Sequence, residues 1–179
     1  MRMALGTGLV IWLAAVATAA AWRPPAPQLP DPDAQSVWAF LEQQDYESWE
    51  LFPGTTPYHP GPEPHGALLT TRVNDLALDA VRAGDDHMPV GAMIVKENYA
   101  ADRSLEAVTV MFKTRPGYDP DHHDWFWMKR APDGAIGAQG RVDTCINCHD
   151  SGTDYVREWD FAPAQAPPAT GVSITPVIR

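Results

Sequence analysis

The run Leu105-Glu106-Ala107-Val108-Thr109-Val110-Met111-Phe112-Lys113-Thr114 alternates through its centre: Val108, Val110 and Phe112 interleave with Thr109, Met111 and Lys113. A period of two places each set on its own face of an extended strand. The same pattern returns downstream in Asp124–Lys129, where Trp125 and Trp127 alternate with Phe126 and Met128, and the runs Val90–Lys96 and Ala67–Val73 upstream also read as strands. Aromatic and β-branched residues at this period predict antiparallel strands. Between them, Asn74-Asp75 caps a short helix that runs to Arg82 and stops at Gly84. Towards the start, Asp33 to Trp49 reads as a helix, with Val37, Phe40, Leu41 and Gln44 on one side and Asp33 or Ser36 as its cap. Leu51–Gly66 is rich in Pro and Gly and reads as irregular chain, long enough to shape a site. Pro132-Asp133-Gly134 is a turn, and Thr144–His149 a short helix. The fold class expected is α+β, an antiparallel sheet with a few packed helices.

The ends of the chain carry other information. Residues 1–21, MRMALGTGLVIWLAAVATAAA, place one Arg before an apolar run from Leu9 to about Ala17 and finish on an Ala-rich, A-x-A-like site. That is the three-part pattern of a secretory signal peptide. The alternative, an uncleaved anchor, is short of the roughly 20 apolar residues a membrane span needs. The expectation is a periplasmic protein, free of the membrane after cleavage. Residues 22–32 form a Pro-rich leader, residues 33–161 the ordered domain, and residues 162–179 a Pro- and Ala-rich tail. The 179 residues suit one domain, and 45% hydrophobic content with seven Trp excludes a largely disordered chain. A formal net charge of -10 argues against a nucleic-acid partner, whose phosphates need Lys and Arg.

The two cysteines lie in Cys145-Ile146-Asn147-Cys148-His149. C-x-x-C-H is the attachment signature of c-type haem. Two thiols on one helical turn can each bond to a haem vinyl group, and the adjacent His149 then ligates the iron from the proximal side. A structural disulfide or a redox dithiol is the plainer alternative. The thioredoxin-like strand and helix order that frames a redox pair is absent, and a zinc site would need more ligands. No Met or His follows His149, so a sixth iron ligand must come from Met88, Met93, Met111, Met128 or an upstream histidine, or be missing. Met111 and Met128 lie in strand patterns and read as core.

From Tyr46 to Val156 the chain resembles the cytochrome P-460 family and its relative cytochrome c′-beta. The matching pieces are Trp49-Glu50-Leu51-Phe52-Pro53-Gly54, His65-Gly66, Val73-Asn74-Asp75, Val90 to Tyr99, Val110-Met111-Phe112-Lys113, Gly117-Tyr118-Asp119, Asp124-Trp125-Phe126-Trp127, the haem motif and Asp154-Tyr155-Val156. The resemblance implies a β-rich homodimer with one covalent haem c, and its iron, per chain. In cytochromes P-460 a lysine is joined to a meso carbon of the haem, and hydroxylamine is oxidised to nitrogen oxides. Cytochromes c′-beta lack that link and bind nitric oxide.

The lysines are Lys96, Lys113 and Lys129. Read from the residues alone, Lys96 is a strand-end lysine that snorkels to water, or one whose stem follows the apolar face of Ala92 and Ile94 inward. The resemblance of Lys96-Glu97-Asn98-Tyr99 to the family's lysine segment makes Lys96 the expected cross-linking residue. Lys113 reads as structural. Arg72 is the expected basic residue of the distal pocket, with a surface pair to Asp75 as the alternative. Arg141 is expected beside a haem propionate or an acid, Glu97 and Asp102 are candidate proton acceptors, and His122-His123 reads as a polar turn. His65 has no assigned place. The expected partners are hydroxylamine or nitric oxide and an external cytochrome as electron acceptor. A simple electron-transfer cytochrome with a Met or His sixth ligand is a further alternative.

Overall fold

The structure is a computed structural model, and it describes residues 28–157. The expected signal peptide, most of the Pro-rich leader and the tail lie outside these residues. The elements are helix α1 (Ala34–Gln43), strands β1 (Glu50–Leu51), β2 (His59–Pro60) and β3 (Leu68–Val73), helix α2 (Asp75–Ala83), strands β4 (Met93–Tyr99), β5 (Leu105–Lys113), β6 (Trp125–Arg130) and β7 (Ile136–Gly140), and helix α3 (Asp143–His149). All strands join one antiparallel sheet in the order β1-β3-β4-β5-β6-β7, with β2 pairing β3. The α+β expectation holds.

The helix signals act where the sequence puts them. The Asp33 side chain accepts from the Ser36 backbone N–H and starts α1, and Gly84 ends α2 in a left-handed conformation (φ 71). The first helix is shorter than expected. Asp45 turns left-handed (φ 49), and a separate 3-10 turn covers Tyr46–Ser48. Three differences concern strands. First, β4 begins at Met93, because Gly91 (φ 94) sits in a turn closed by Ala92 N–H on Pro89. It also runs on through polar Glu97 and Asn98, whose side chains find partners in Arg72 and in the Lys96 and Ala107 carbonyls. Second, β7 has no β-branched or aromatic residue beyond Ile136. It forms because the hairpin turn at Pro132-Asp133-Gly134 returns the chain to β6. Third, the Pro-rich loop contributes β1 and β2, which lie in line along the outer edge of β3.

The sheet is covered on both faces, and alternation sorts its residues between them. On one face, Met93 and Val95 of β4, Val108, Val110 and Phe112 of β5, and Phe126 and Met128 of β6 pack with Val37 and Leu41 of α1. On the other, Val73, Ile94, Met111, Trp125 and Trp127 pack with α2 and with Ile146 of α3. Each fully buried side chain of this size contributes about 1.5–3 kcal/mol. Among the described residues no helix is long and apolar enough to cross a membrane.

Asn74 links the second face together. Its Oδ1 accepts from the Ala77 and Met93 backbone N–H groups, at 3.1 and 3.0 Å, and its Nδ2 donates to the Gly91 carbonyl at 2.8 Å. One side chain thus caps α2 and anchors the start of β4. Asn74→Ala is expected to cost about 2 kcal/mol in urea unfolding, the upper end for a cap, because two further polar groups lose a partner. A loss within about 0.5 kcal/mol, the range of an ordinary surface change, would contradict this role.

Candidate functional site

Helix α3 presents Cys145, Cys148 and His149. Spacings of three and four bring them to one side of the helix. Both cysteines are free thiols and half-buried. Burial pushes the Cys145 thiol above its ordinary value. His149 is buried, at 4% exposure. Its Nδ1–H donates to the Tyr155 carbonyl at 2.8 Å, and its ring meets the Trp127 ring edge-on at 4.9 Å between centroids. With Nδ1 committed as a donor, Nε2 is the nitrogen suited to an axial metal bond.

These side chains border a cavity of about 430 Å³ between α3 and the sheet. Ile94, Lys96, Thr109, Met111 and Trp127 line its sheet side. A second cavity of about 370 Å³ runs beneath the loop carrying β2. The two share His65, Lys96, Cys148 and His149. The structure therefore brings four of the five expected site residues together: Lys96, Cys145, Cys148 and His149. Lys96 is 5% exposed and sits in mid-strand, so an amine snorkelling to water is not what is seen. Thr71 of β3 and Thr109 of β5 stand opposite it on the same face.

Arg72 is the fifth residue and needs correction. It follows Thr71 on β3, so alternation turns it to the α1 side of the sheet. There its Nη1–H donates to the Trp49 carbonyl at 3.0 Å, and its Nε lies 3.8 Å from Glu97 Oε2. It lines neither cavity. The surface pair with Asp75 is not formed; the partner is Glu97. Glu97 faces away from the cavity with it. Burial holds the Glu97 carboxyl above its usual range, against hydrogen bonding from Tyr99 and the charge of Arg72. Asp102 lies in an exposed turn, bonded to Ser104. Arg141 stacks over Tyr118, 5.2 Å from the ring centroid, and donates to the Tyr118 carbonyl. Met88 and Met111 belong to the core on the cavity side, Met93 and Met128 to the other. Lys113 is buried in an ion pair with Asp154, as a structural lysine should be.

His65 is the site residue that sequence reasoning left unplaced. Asn98 Nδ2 donates to the Lys96 and Ala107 carbonyls and to Thr109 Oγ1, at 2.9, 3.1 and 3.2 Å. That fixes the amide, so Asn98 Oδ1 accepts from His65 Nδ1–H at 3.1 Å. Nδ1 of His65 therefore carries a hydrogen. The two histidine rings stand 6.0 Å apart, nearly perpendicular. The neighbouring Gly66 (φ 106) lets the loop close on β4, since a Cβ there would lie 3.0 Å from the Tyr99 carbonyl oxygen.

The residues present fit a haem. The wall is apolar, the thiols and the imidazole share one helix side, and the Trp127 indole N–H is buried with no hydrogen-bond partner among the described residues. A buried donor of this kind costs free energy until an acceptor arrives, and haem carries carboxylates.

A protein-family model described as Cytochrome P460 matches residues 43–159, which include every strand, Lys96 and the C-x-x-C-H motif. No curated protein matches the chain.

Proposed function

The chain belongs to the cytochrome P460 family, and on that basis we propose that it is an exported mono-haem c-type cytochrome that oxidises hydroxylamine to nitrogen oxides. It is a haem cytochrome of the P460 kind, and a bound haem supplies the redox-active iron that takes electrons from the substrate nitrogen. The observation that carries the finer reading is the position of Lys96, buried where the two cavities meet and sharing both with Cys148 and His149.

In this reading Cys145 and Cys148 hold the cofactor by thioether bonds, and His149 Nε2 ligates its iron. Lys96 would be the residue joined to a meso carbon, its nitrogen taking the place of the meso hydrogen with loss of two protons, and of two electrons to an external oxidant. His65 Nε2, with Nδ1–H pinned by Asn98, accepts protons released as the substrate is oxidised. Ile94, Met111 and Trp127 keep bulk water from that wall. Electrons leave to an external cytochrome, and the net charge of -10 favours a basic docking surface on that partner. The family resemblance also suggests a homodimer, and the signal-peptide pattern of residues 1–21 supports export to the periplasm.

Peptide mapping of the purified holoprotein tests the cross-link. The Lys96 peptide is expected to carry a haem adduct, and the ferrous spectrum to show the strongly red-shifted band for which the family is named. An unmodified Lys96 peptide in full yield, with an ordinary high-spin c-type spectrum, would replace this reading by nitric oxide binding of the c′-beta kind. The apolar sheet wall of the cavity suits such a ligand. A low-spin six-coordinate spectrum would favour electron transfer alone.

A further inference from the structure

Asp154 lies just beyond α3, and its side chain is completely buried. Its two carboxylate oxygens each accept from Lys113 Nζ at 2.8 Å. Oδ2 also accepts from the Met88 backbone N–H, and Oδ1 from His123 Nδ1–H, both at 2.7 Å. Its own carbonyl accepts from the Trp125 indole N–H at 2.8 Å. One residue thus ties together β5, β6, the loop before β6 and the loop after α2.

The backbone explains what these ties oppose. Asp154 and Tyr155 both hold left-handed conformations, with φ of 47 and 66. Two consecutive non-glycine residues in that region are costly and persist only where their surroundings over-determine them. The carbonyl that follows directly, that of Tyr155, is the one accepting from His149 Nδ1–H. The Tyr155 ring is held as well, edge-on to His123 at 5.3 Å and to His122 at 6.3 Å.

His87, His123 and Asp154 bring their ligand atoms within 4.8 Å of one another, the grouping of a cation site. The cation position against the carboxylate is already taken by the Lys113 ammonium, whose repulsion would oppose a divalent ion. The cluster therefore does something other than bind metal. We propose that Asp154 is a positioning residue for the proximal ligand: its buried ion pair with Lys113 holds the Tyr155 carbonyl where it polarises His149. An Nδ1–H donated to a fixed carbonyl raises the basicity of Nε2, and a more basic axial ligand stabilises the ferric state. The inference rests on the reading of His149 as the iron's proximal ligand.

The test uses the exported, haem-loaded full chain. Asp154→Asn keeps the side-chain volume and an acceptor for Met88 but removes the charge facing Lys113. The expected result is unchanged haem content, a midpoint potential shifted upward in redox titration, and an iron–histidine stretch at lower frequency in resonance Raman of the ferrous protein. His123→Gly, at an exposed position whose φ of 57 suits glycine, removes one donor to Asp154 and one ring edge against Tyr155, leaves the Lys113 ion pair in place, and should shift both readouts less, in the same direction. It keeps the test open should the first variant fold poorly. Leu41→Ala, in the core on the opposite face, should lower stability and leave both readouts unmoved. Full haem content with unchanged potential and stretch in both Asp154→Asn and His123→Gly would overturn the inference and leave the haem reading intact. Five-coordinate ferrous wild-type protein without an iron–histidine stretch would overturn the ligand reading, and this inference with it.

Discussion

Cys148→Ala is expected to abolish stable holoprotein, the largest single effect open to one substitution in this chain. On the proposed reading, Cys148 supplies one of two thioether bonds and lines both cavities. Removing it leaves Cys145 as the one thioether, beside the proposed Lys96 bond, and a hole at the cofactor edge that loosens the seat in which those bonds must form. Bound cofactor acts on stability by mass action, so weaker retention also withdraws stabilisation from the folded state. The measurement is haem staining after denaturing electrophoresis, together with the intact mass. The variant should show little stain and the mass of the bare polypeptide. Staining equal to wild type would contradict the two-thioether assignment.

The second large effect is on stability. Trp125→Ala should cost about 3–5 kcal/mol, the range for deleting a large aromatic from a core. Trp125 is fully buried and packs against Trp127 at 6.4 Å between ring centroids. The Lys113 ammonium sits 4.9 Å from its ring centroid. The substitution also leaves the Asp154 carbonyl without its indole donor. Against a total stability of about 5–15 kcal/mol, that is a large share. The denaturant midpoint should fall with the slope unchanged. A loss of about 1 kcal/mol or less would mean that the site collapses around the gap and that the ring does not organise this face.

What was legible in the sequence is what is local in the chain. Val108, Val110 and Phe112 declare β5 because they interleave with Thr109, Met111 and Lys113, which keeps the period of two visible. Cys145, Cys148 and His149 lie within one helical turn, so their chemistry is written in consecutive residues. Arg72 shows the limit. Leu68-Leu69-Thr70-Thr71-Arg72-Val73 has no clean alternation, so which of its faces meets the cavity is set by pairing with β4, where Thr71 opposes Lys96 and Arg72 opposes Val95. A change of one residue in parity moves a side chain across the sheet. His65 was hidden for a related reason: its partner Asn98 lies 33 residues away. Asp154 draws on partners 31, 41 and 66 residues distant, and nothing in its neighbourhood announces them. β7 was missed because Ile136-Gly137-Ala138-Gln139-Gly140 has almost no strand propensity and depends on its turn.

The order of strands has a consequence for time. From β3 to β7 every neighbour in the sheet is also the next strand in the chain. Such a meander has low contact order, and its loops close over short separations at modest entropic cost. Helix α1 precedes it, while α3 follows its last strand. A chain emerging from its N-terminus can therefore assemble the sheet, and bury the face that α1 covers, before Cys145, Cys148 and His149 exist. The wall against which a cofactor would lie can thus be finished before the residues proposed to hold it emerge.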